Sequence, residues 1–158
     1  MSARVSDGAR DAGWQDDVAR IREAAPGHIL FLCVANSARS QMAEGIARSL
    51  APAGVRITSA GSQPTRVRPQ AIRALEEVGL DIGGQSSKGM DQVDGAPPDV
   101  VITLCDEEVC PAWLQPALRF HWPMPDPAGA GGSPEEEMQA FREVRDDLMD
   151  RLRSLFGE

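Results

Sequence analysis

Residues 28–40 read HILFLCVANSARS, and this stretch decides the fold. Its first half is a continuous apolar run that follows Pro26-Gly27 and ends at Cys33. A run of this kind, bounded by a turn, is typical of a strand buried on both faces of a parallel sheet. Its second half is a short loop that leads into a helical pattern over 40–50. The stretch therefore predicts a strand, a loop and a helix in succession.

The rest of the chain continues this alternation. The patterns predict short strands over 55–59, 99–104 and 118–122, and helices over 69–78 and 134–156. This order predicts an α/β domain, a three-layer sandwich around a four-stranded parallel sheet. Ligands of such sheets bind beyond the carboxyl ends of the strands. We therefore expect one site where the predicted strands end, close to Cys33, Ser59, Cys105 and the loop after Trp122.

The first 27 residues are predicted to be an N-terminal extension of a domain at 28–158. Residues 1–13 are polar and are expected to be a mobile tail, whereas the spacing of Trp14, Val18 and Ile21 indicates a short helix over 14–24. The start lacks the apolar segment of a signal peptide, and no apolar run reaches the ~18 residues of a membrane span. We therefore expect a cytoplasmic protein without a membrane partner.

The net charge and the amino-acid composition argue against some classes of function. The chain has 16 Lys+Arg against 24 Asp+Glu, a net charge of −8, which argues against nucleic acid as a partner. It has three cysteines and no tyrosine. An odd count this small does not make a disulfide scaffold, so buried, catalytic or metal-binding cysteines are expected.

The loop between the first strand and the first helix of the domain is a candidate oxyanion cradle. Backbone N–H groups of such a loop converge on one point, to which the helix N-terminus adds positive potential. A thiolate at Cys33 is stabilised there, Arg39 offers a planar fork to an oxyanion, Ser40 can hydrogen-bond the thiolate, and Asn36 can hold the loop. Taken singly, these residues are better explained as a buried cysteine and a surface arginine, and it is their combination in one loop that favours the cradle. The expected oxyanion-binding residues are Val34, Ala35, Asn36, Ser37, Ala38, Arg39 and Ser40.

Two further motifs contain side chains that could take part in catalysis. Asp126 precedes Pro127 in a Pro/Gly loop, where a carboxylate beside an oxyanion site can protonate a leaving oxygen, although a plain Asp-Pro turn is the simpler explanation of these two residues alone. Cys105 and Cys110 lie five residues apart after a strand. A zinc half-site and two unrelated cysteines are the alternatives to a thiol relay, and a closed zinc site lacks ligands because only two histidines are present. We therefore expect no bound metal.

The motifs together resemble the low-molecular-weight tyrosine phosphatase superfamily, and in particular its thioredoxin-coupled arsenate reductases. The resemblance covers about residues 28–156. It rests on the Cys33-x5-Arg39-Ser40 loop and on a set of further segments, which are 36–45, 58–61, 69–72, 101–105, 121–122 and 126–129.

The resemblance implies a reaction and its residues. Cys33 attacks arsenate, Asp126 is the general acid, and disulfides Cys33–Cys105 and then Cys105–Cys110 carry the oxidation to thioredoxin, with no bound cofactor. Phosphate and sulfate are the expected substrate analogues, and the fold is commonly monomeric. Glutathione, mycothiol or glutaredoxin are alternative reductants. The gap between Cys105 and Cys110 is shorter than is usual in the family.

Two other functions stay open. The first is a phosphatase on the same fold, but phosphatases of this family place aromatic residues after the Asp-Pro pair, whereas Ala128-Gly129-Ala130 follow here. The second is an oxyanion or metalloid sensor, which leaves Asp126 without a task.

The resemblance also implies a supporting site behind the loop. In several relatives, residues at the positions of Asn36, Glu44 and Ser59 and a carboxylate near position 88 surround a potassium ion. Here Lys88 stands where the acid is expected. We expect its ammonium to replace the ion and to pair with Glu44, although an exposed lysine is an equal alternative.

Overall fold

The computed structural model describes residues 2–106 and 111–157, with the backbone alone over 2–12. A parallel sheet is formed by β1 (His28–Cys33), β2 (Arg56–Gly61), β3 (Val100–Cys105) and β4 (Leu118–Met124). The strand order is β2-β1-β3-β4, and all three neighbouring pairs are parallel. The prediction of a four-stranded parallel sheet is therefore confirmed.

The central strand β1 explains why its sequence is apolar throughout. All six of its residues are buried, because the sheet is covered on both faces. On one face, Ile29 and Phe31 join a large core that takes side chains from all four helices. On the other face, Leu30 and Leu32 pack against Trp113 and the segment near Met90. The sheet thus lies between two layers of unequal thickness.

The helices of the domain lie close to where the sequence patterns place them. They are α2 (Arg39–Leu50), α3 (Pro69–Glu76) and α4 (Pro134–Leu155), with short 3₁₀ turns at Met90–Gln92 and Pro127–Gly129. Ser133 caps α4: its hydroxyl accepts from the Glu136 N–H, while the Glu136 carboxylate accepts from the Ser133 N–H. None of the helices in the described ranges is long and apolar enough to cross a membrane.

The N-terminal helix is longer than the sequence pattern indicates. It runs as α1 over Ser2–Ala24, whereas the prediction placed a tail at 1–13 and a helix only at 14–24. The segment before Trp14 contains no proline that would stop the helix, and the helix extends beyond its packed part although Gly8 and Gly13 disfavour it. That packed part buries Val18 and Ile21, and Asp17 Oδ2 accepts from Trp122 Nε1 of β4 at 3.0 Å.

Candidate functional site

The loop between β1 and α2 is held open by a second loop. The carbonyl groups of Val34, Ala35 and Ser37 accept hydrogen bonds from backbone N–H groups of the segment 62–68. The donors are Gln63 at 2.8 Å, Thr65 at 3.1 Å and Arg68 at 2.9 Å. Because these carbonyls are satisfied away from Cys33, the loop's own N–H groups are left to bind an anion.

The space enclosed by this loop is small. A cavity of about 140 Å³ is lined by the loop and by Asp126, which the fold brings in from the end of β4. Its lining residues are Cys33, Val34, Ala35, Ser37, Ala38, Arg39 and Asp126. The structure therefore brings together the expected nucleophile, arginine and carboxylate around a volume suited to a small oxyanion.

Asn36 fixes the conformation of the loop. It has a positive φ of 49°, which asparagine tolerates better than most residues. Its Oδ1 accepts from Gln41 Nε2 at 3.0 Å and from the Lys88 N–H at 2.9 Å. Its Nδ2 must therefore face Ser40 and Ser59, whose hydroxyl oxygens lie 2.8 Å and 3.0 Å away. All four hydrogen-bonding positions of this buried amide are used, which sets its orientation.

Ser40 connects this amide to the thiol. Its Oγ lies 2.8 Å from Cys33 Sγ and is fully buried. Since the Ser40 oxygen already accepts from Asn36, its own proton is available for a thiolate at Cys33. A hydrogen bond to the charged form of a group favours that form. Ser40 is thus placed to donate a hydrogen bond to a thiolate at Cys33.

Arg39 is buried at the start of α2 and reaches the ends of two other strands. Its Nη1 donates to the carbonyl of Met124 at 3.1 Å and lies 3.6 Å from Asp106 Oδ1. Met124 ends β4, and Asp106 directly follows β3. The guanidinium is therefore positioned by the sheet rather than by its own helix alone.

Asp126 is held at the mouth of the cavity. Its Oδ1 accepts from the Ala128 N–H at 3.0 Å, which caps the turn Pro127–Gly129. The residue is half-buried, and its backbone is extended ahead of Pro127. One carboxylate oxygen is thus fixed by the turn, and the group lines the same cavity as Cys33.

The expected ion pair between Lys88 and Glu44 is absent from the described residues, so this prediction is wrong. Glu44 Oε2 instead pairs with Arg48 at 2.6 Å, and its Oε1 accepts from Ser59 Oγ at 2.5 Å. The Lys88 ammonium donates to the Ser86 carbonyl at 3.1 Å. Arg48 lies one helical turn from Glu44, a spacing at which opposite charges meet on a helix surface.

The supporting site does not suit a potassium ion. The oxygens that would face the ion, on Asn36, Glu44 and Ser59, already bind side-chain or backbone donors of the protein. Arg48 supplies a fixed positive charge to the buried Glu44 carboxylate. Within the described ranges, no group of three or more histidine, cysteine, aspartate or glutamate side chains is placed to hold a metal ion.

The cysteines are in different states. Cys33 is a free thiol with 2% of its surface exposed, whereas Cys105 is fully buried and disulfide-bonded. Leu32 is paired with Thr103 across β1 and β3, so Cys33 and Cys105 lie at the ends of adjacent strands. Cys110 lies outside the described residues.

Sequence reasoning missed several residues of the site. The sequence of the segment 62–68 does not indicate a role in the site, because that role depends on backbone hydrogen bonds to the loop 34–37. Gln41 is fully buried and donates to Asn36, yet its polarity favoured an exposed position. Arg48 was detectable, since its i,i+4 spacing from Glu44 is visible in the sequence.

A parallel sheet whose first strand ends in a cysteine, followed by an anion-binding loop closed by an arginine, defines a cysteine-dependent class of oxyanion enzymes. Residues 28–158 match the family model described as low molecular weight phosphotyrosine protein phosphatase. The chain belongs to this family, and the predicted resemblance is confirmed.

The similar proteins within this family have more specific names. An arsenate reductase of Halalkalibacterium halodurans is 41% identical over 128 residues, which cover 80% of this chain and 92% of the relative. A glutaredoxin arsenate reductase of Synechocystis is 36% identical over 132 residues, covering 82% and 96%. A solved structure of an arsenate reductase in the phosphate binding state has a TM-score of 0.65 and 34% identity, covering 82% of this chain and 96% of that one.

Proposed function

We propose that this protein reduces arsenate to arsenite through Cys33, Cys105 and Cys110. The proposal rests on two cysteines that lie at the ends of the adjacent strands β1 and β3. A free thiol lies in an anion-sized cavity at the end of β1, and a second, disulfide-bonded cysteine lies at the end of β3. A phosphatase needs the first cysteine and has no use for the second. Relatives named arsenate reductase support the same choice.

The first half of the reaction takes place in the cavity. The Cys33 thiolate attacks arsenic and forms an S–As bond, while one arsenate oxygen leaves as water after taking a proton from Asp126. Arg39 and the loop N–H groups hold the remaining oxygens. Ser40 stabilises the thiolate before attack.

The second half of the reaction transfers two electrons to arsenic. Cys105 attacks the Cys33 sulfur, the S–As bond breaks, and its electron pair leaves with arsenic as arsenite. Cys110 then attacks Cys105, which releases Cys33 as a thiolate and leaves a Cys105–Cys110 disulfide. A thioredoxin-type dithiol reduces that disulfide and is itself oxidised. A free Cys33 beside a disulfide-bonded Cys105 is consistent with the state after the second exchange.

The residues around the cavity disfavour an aryl phosphate as the main substrate. The chain contains no tyrosine, and Ala128, Gly129 and Ala130 follow the Asp-Pro pair where an aromatic wall would be needed. Phosphate and sulfate fit the same cradle, so weak phosphatase activity is expected alongside arsenate reduction. We further propose that the protein acts as a monomer in the cytoplasm, where thioredoxin is reduced.

An arsenate-dependent NADPH oxidation assay with thioredoxin and thioredoxin reductase tests the proposal. Cys33→Ser and Cys105→Ser are expected to abolish turnover, and Cys110→Ser to stop it after one cycle. Full activity of Cys110→Ser would remove the three-thiol relay. A parallel assay with glutathione and glutaredoxin identifies the reductant, and faster turnover there would contradict the thioredoxin assignment. Absence of arsenite formation with either reductant would refute the proposed activity.

A further inference from the structure

Asp106 forms a contact that the proposed reaction does not use. Its Oδ1 lies 3.6 Å from Arg39 Nη1, in a pair whose arginine side chain is 4% exposed and whose aspartate side chain is 45% exposed. Asp106 is bonded directly to Cys105, which ends β3. A carboxylate that neighbours the second cysteine therefore reaches the arginine of the anion cavity.

Among the described residues that line the cavity, Arg39 is the one with a basic side chain. A bound oxyanion needs this guanidinium, because charge-assisted hydrogen bonds to arginine are strong and directional. The Asp106 carboxylate offers the guanidinium the same chemistry before substrate arrives. Arg39 is buried, but water reaches the Asp106 side of the pair and screens the attraction there, so an arriving oxyanion can displace the carboxylate.

We propose that the Asp106 carboxylate is an internal competitor of the substrate oxyanion for Arg39. The proposal rests on the proposed function, because it assumes that the cavity binds an oxyanion. An arriving oxyanion displaces Asp106, and Asp106 in its place weakens oxyanion binding.

This competition couples the substrate to the second cysteine. Binding equilibria that oppose each other do so reciprocally. Oxyanion binding at Arg39 therefore releases the chain next to Cys105 from its contact with the guanidinium. Asp106 thus links occupancy of the cavity to the freedom of the cysteine that must next approach Cys33.

Calorimetric titration of the reduced full-length protein with sulfate, an unreactive oxyanion, measures the competition. Asp106→Asn keeps the size of the side chain and removes its charge, and it is expected to bind sulfate about fivefold more tightly than the unmodified protein. Asp91→Asn is the matched control, because it makes the same change in net charge at an exposed residue outside the cavity lining. This control is expected to leave the sulfate affinity unchanged within about twofold.

The possible outcomes distinguish the competition for Arg39 from the proposed reduction of arsenate. Equal affinities of Asp106→Asn and Asp91→Asn for sulfate would overturn the competition, and so would weaker binding by Asp106→Asn, which would mean that the carboxylate holds Arg39 in place. Arsenate turnover by the unmodified protein in either case would leave the proposed function standing. If the unmodified protein binds neither sulfate nor arsenate, the cradle itself is refuted and both proposals fail.

Discussion

The side-chain nitrogen of Asn36 lies 2.8 Å from the hydroxyl oxygen of Ser40, and this hydrogen bond occupies one acceptor position of that oxygen. The other side of the Asn36 amide is occupied by Gln41 and by the backbone of Lys88, so the amide cannot turn over without losing two hydrogen bonds. The Ser40 hydroxyl lies 2.8 Å from Cys33 Sγ and can donate its proton to a thiolate there. The Asn36 amide therefore positions the group next to the thiol without contacting the thiol itself.

Ser40→Ala removes the hydrogen bond to the Cys33 sulfur. A hydrogen bond to a charged group contributes about 1.5–3 kcal/mol, so alkylation of Cys33 by iodoacetamide at neutral pH is expected to slow about tenfold or more. Ser49→Ala is the control, because Ser49 lies on the same helix and its hydroxyl donates to the Ile46 carbonyl. Equal alkylation rates in the two variants would contradict the assignment of the Ser40 proton.

Arg48→Gln leaves the buried Glu44 carboxylate without its cation. We expect a loss of about 1–2 kcal/mol in the free energy of unfolding, less than for a fully buried pair because Arg48 is 54% exposed. The unmodified protein should melt at the same temperature in potassium and sodium chloride, since protein donors occupy the oxygens of this site. Thermal melts in the two salts check both statements, with Arg73→Gln as the control at an exposed arginine of α3. Strong stabilisation of the unmodified protein by potassium would contradict this interpretation.

Gly61→Ala is expected to damage the cradle. A Cβ at this position would meet the carbonyl oxygen of Val34 and would lie 2.9 Å from the backbone nitrogen of Asn36. Neither backbone atom can move without distorting the loop, so we expect about 1–3 kcal/mol of destabilisation and a loss of sulfate binding. Denaturant unfolding and calorimetry measure the two effects. Gly84→Ala is the control, because nothing lies within 4 Å of its added Cβ, and similar behaviour of both variants would show that Gly61 has no special role.

Glu77 makes stability depend on pH. Hydrogen bonds from Arg142, and then from Arg145, lower the pKa of its carboxyl to about 2, from 4.5. A lowered pKa in the folded state stabilises the protein above the unfolded value, and this contribution is lost as the pH falls from about 4.5 towards about 2. Glu77→Gln should therefore melt at a lower temperature than the unmodified protein at pH 6, and the difference should shrink towards pH 2. Glu76→Gln, at the neighbouring exposed carboxylate, is the control for the loss of one charge, and a constant difference for Glu77→Gln would contradict the linkage.

The parts of the fold that depend on local pattern were predictable. The apolar run at 28–33 becomes β1, and the capping sequence at Ser133 starts α4, because burial and end capping are properties of short segments. The extra length of α1 was not predictable, since its first residues carry no apolar stripe to mark a packed helix.

The parts of the site that depend on distant segments were not predictable. The sequence indicated that Cys33, Arg39 and Asp126 belong together, and the structure places them around one cavity. Asp106 reaches Arg39 across 67 positions of the chain, given that their numbers are 106 and 39, and no spacing rule predicts such a contact. The choice of Lys88 as the partner of Glu44 failed for the opposite reason, because the nearer Arg48 was overlooked.

The loop 34–37 is short, and three of its carbonyls, those of Val34, Ala35 and Ser37, accept hydrogen bonds from the segment 62–68, which follows the next strand. During folding, the loop therefore cannot reach its final conformation until β2 has paired with β1. Until then, we expect Cys33 to lack the ordered amides of the loop. The surroundings of the Cys33 sulfur are thus a product of folding, because they need chain segments on both sides of β2.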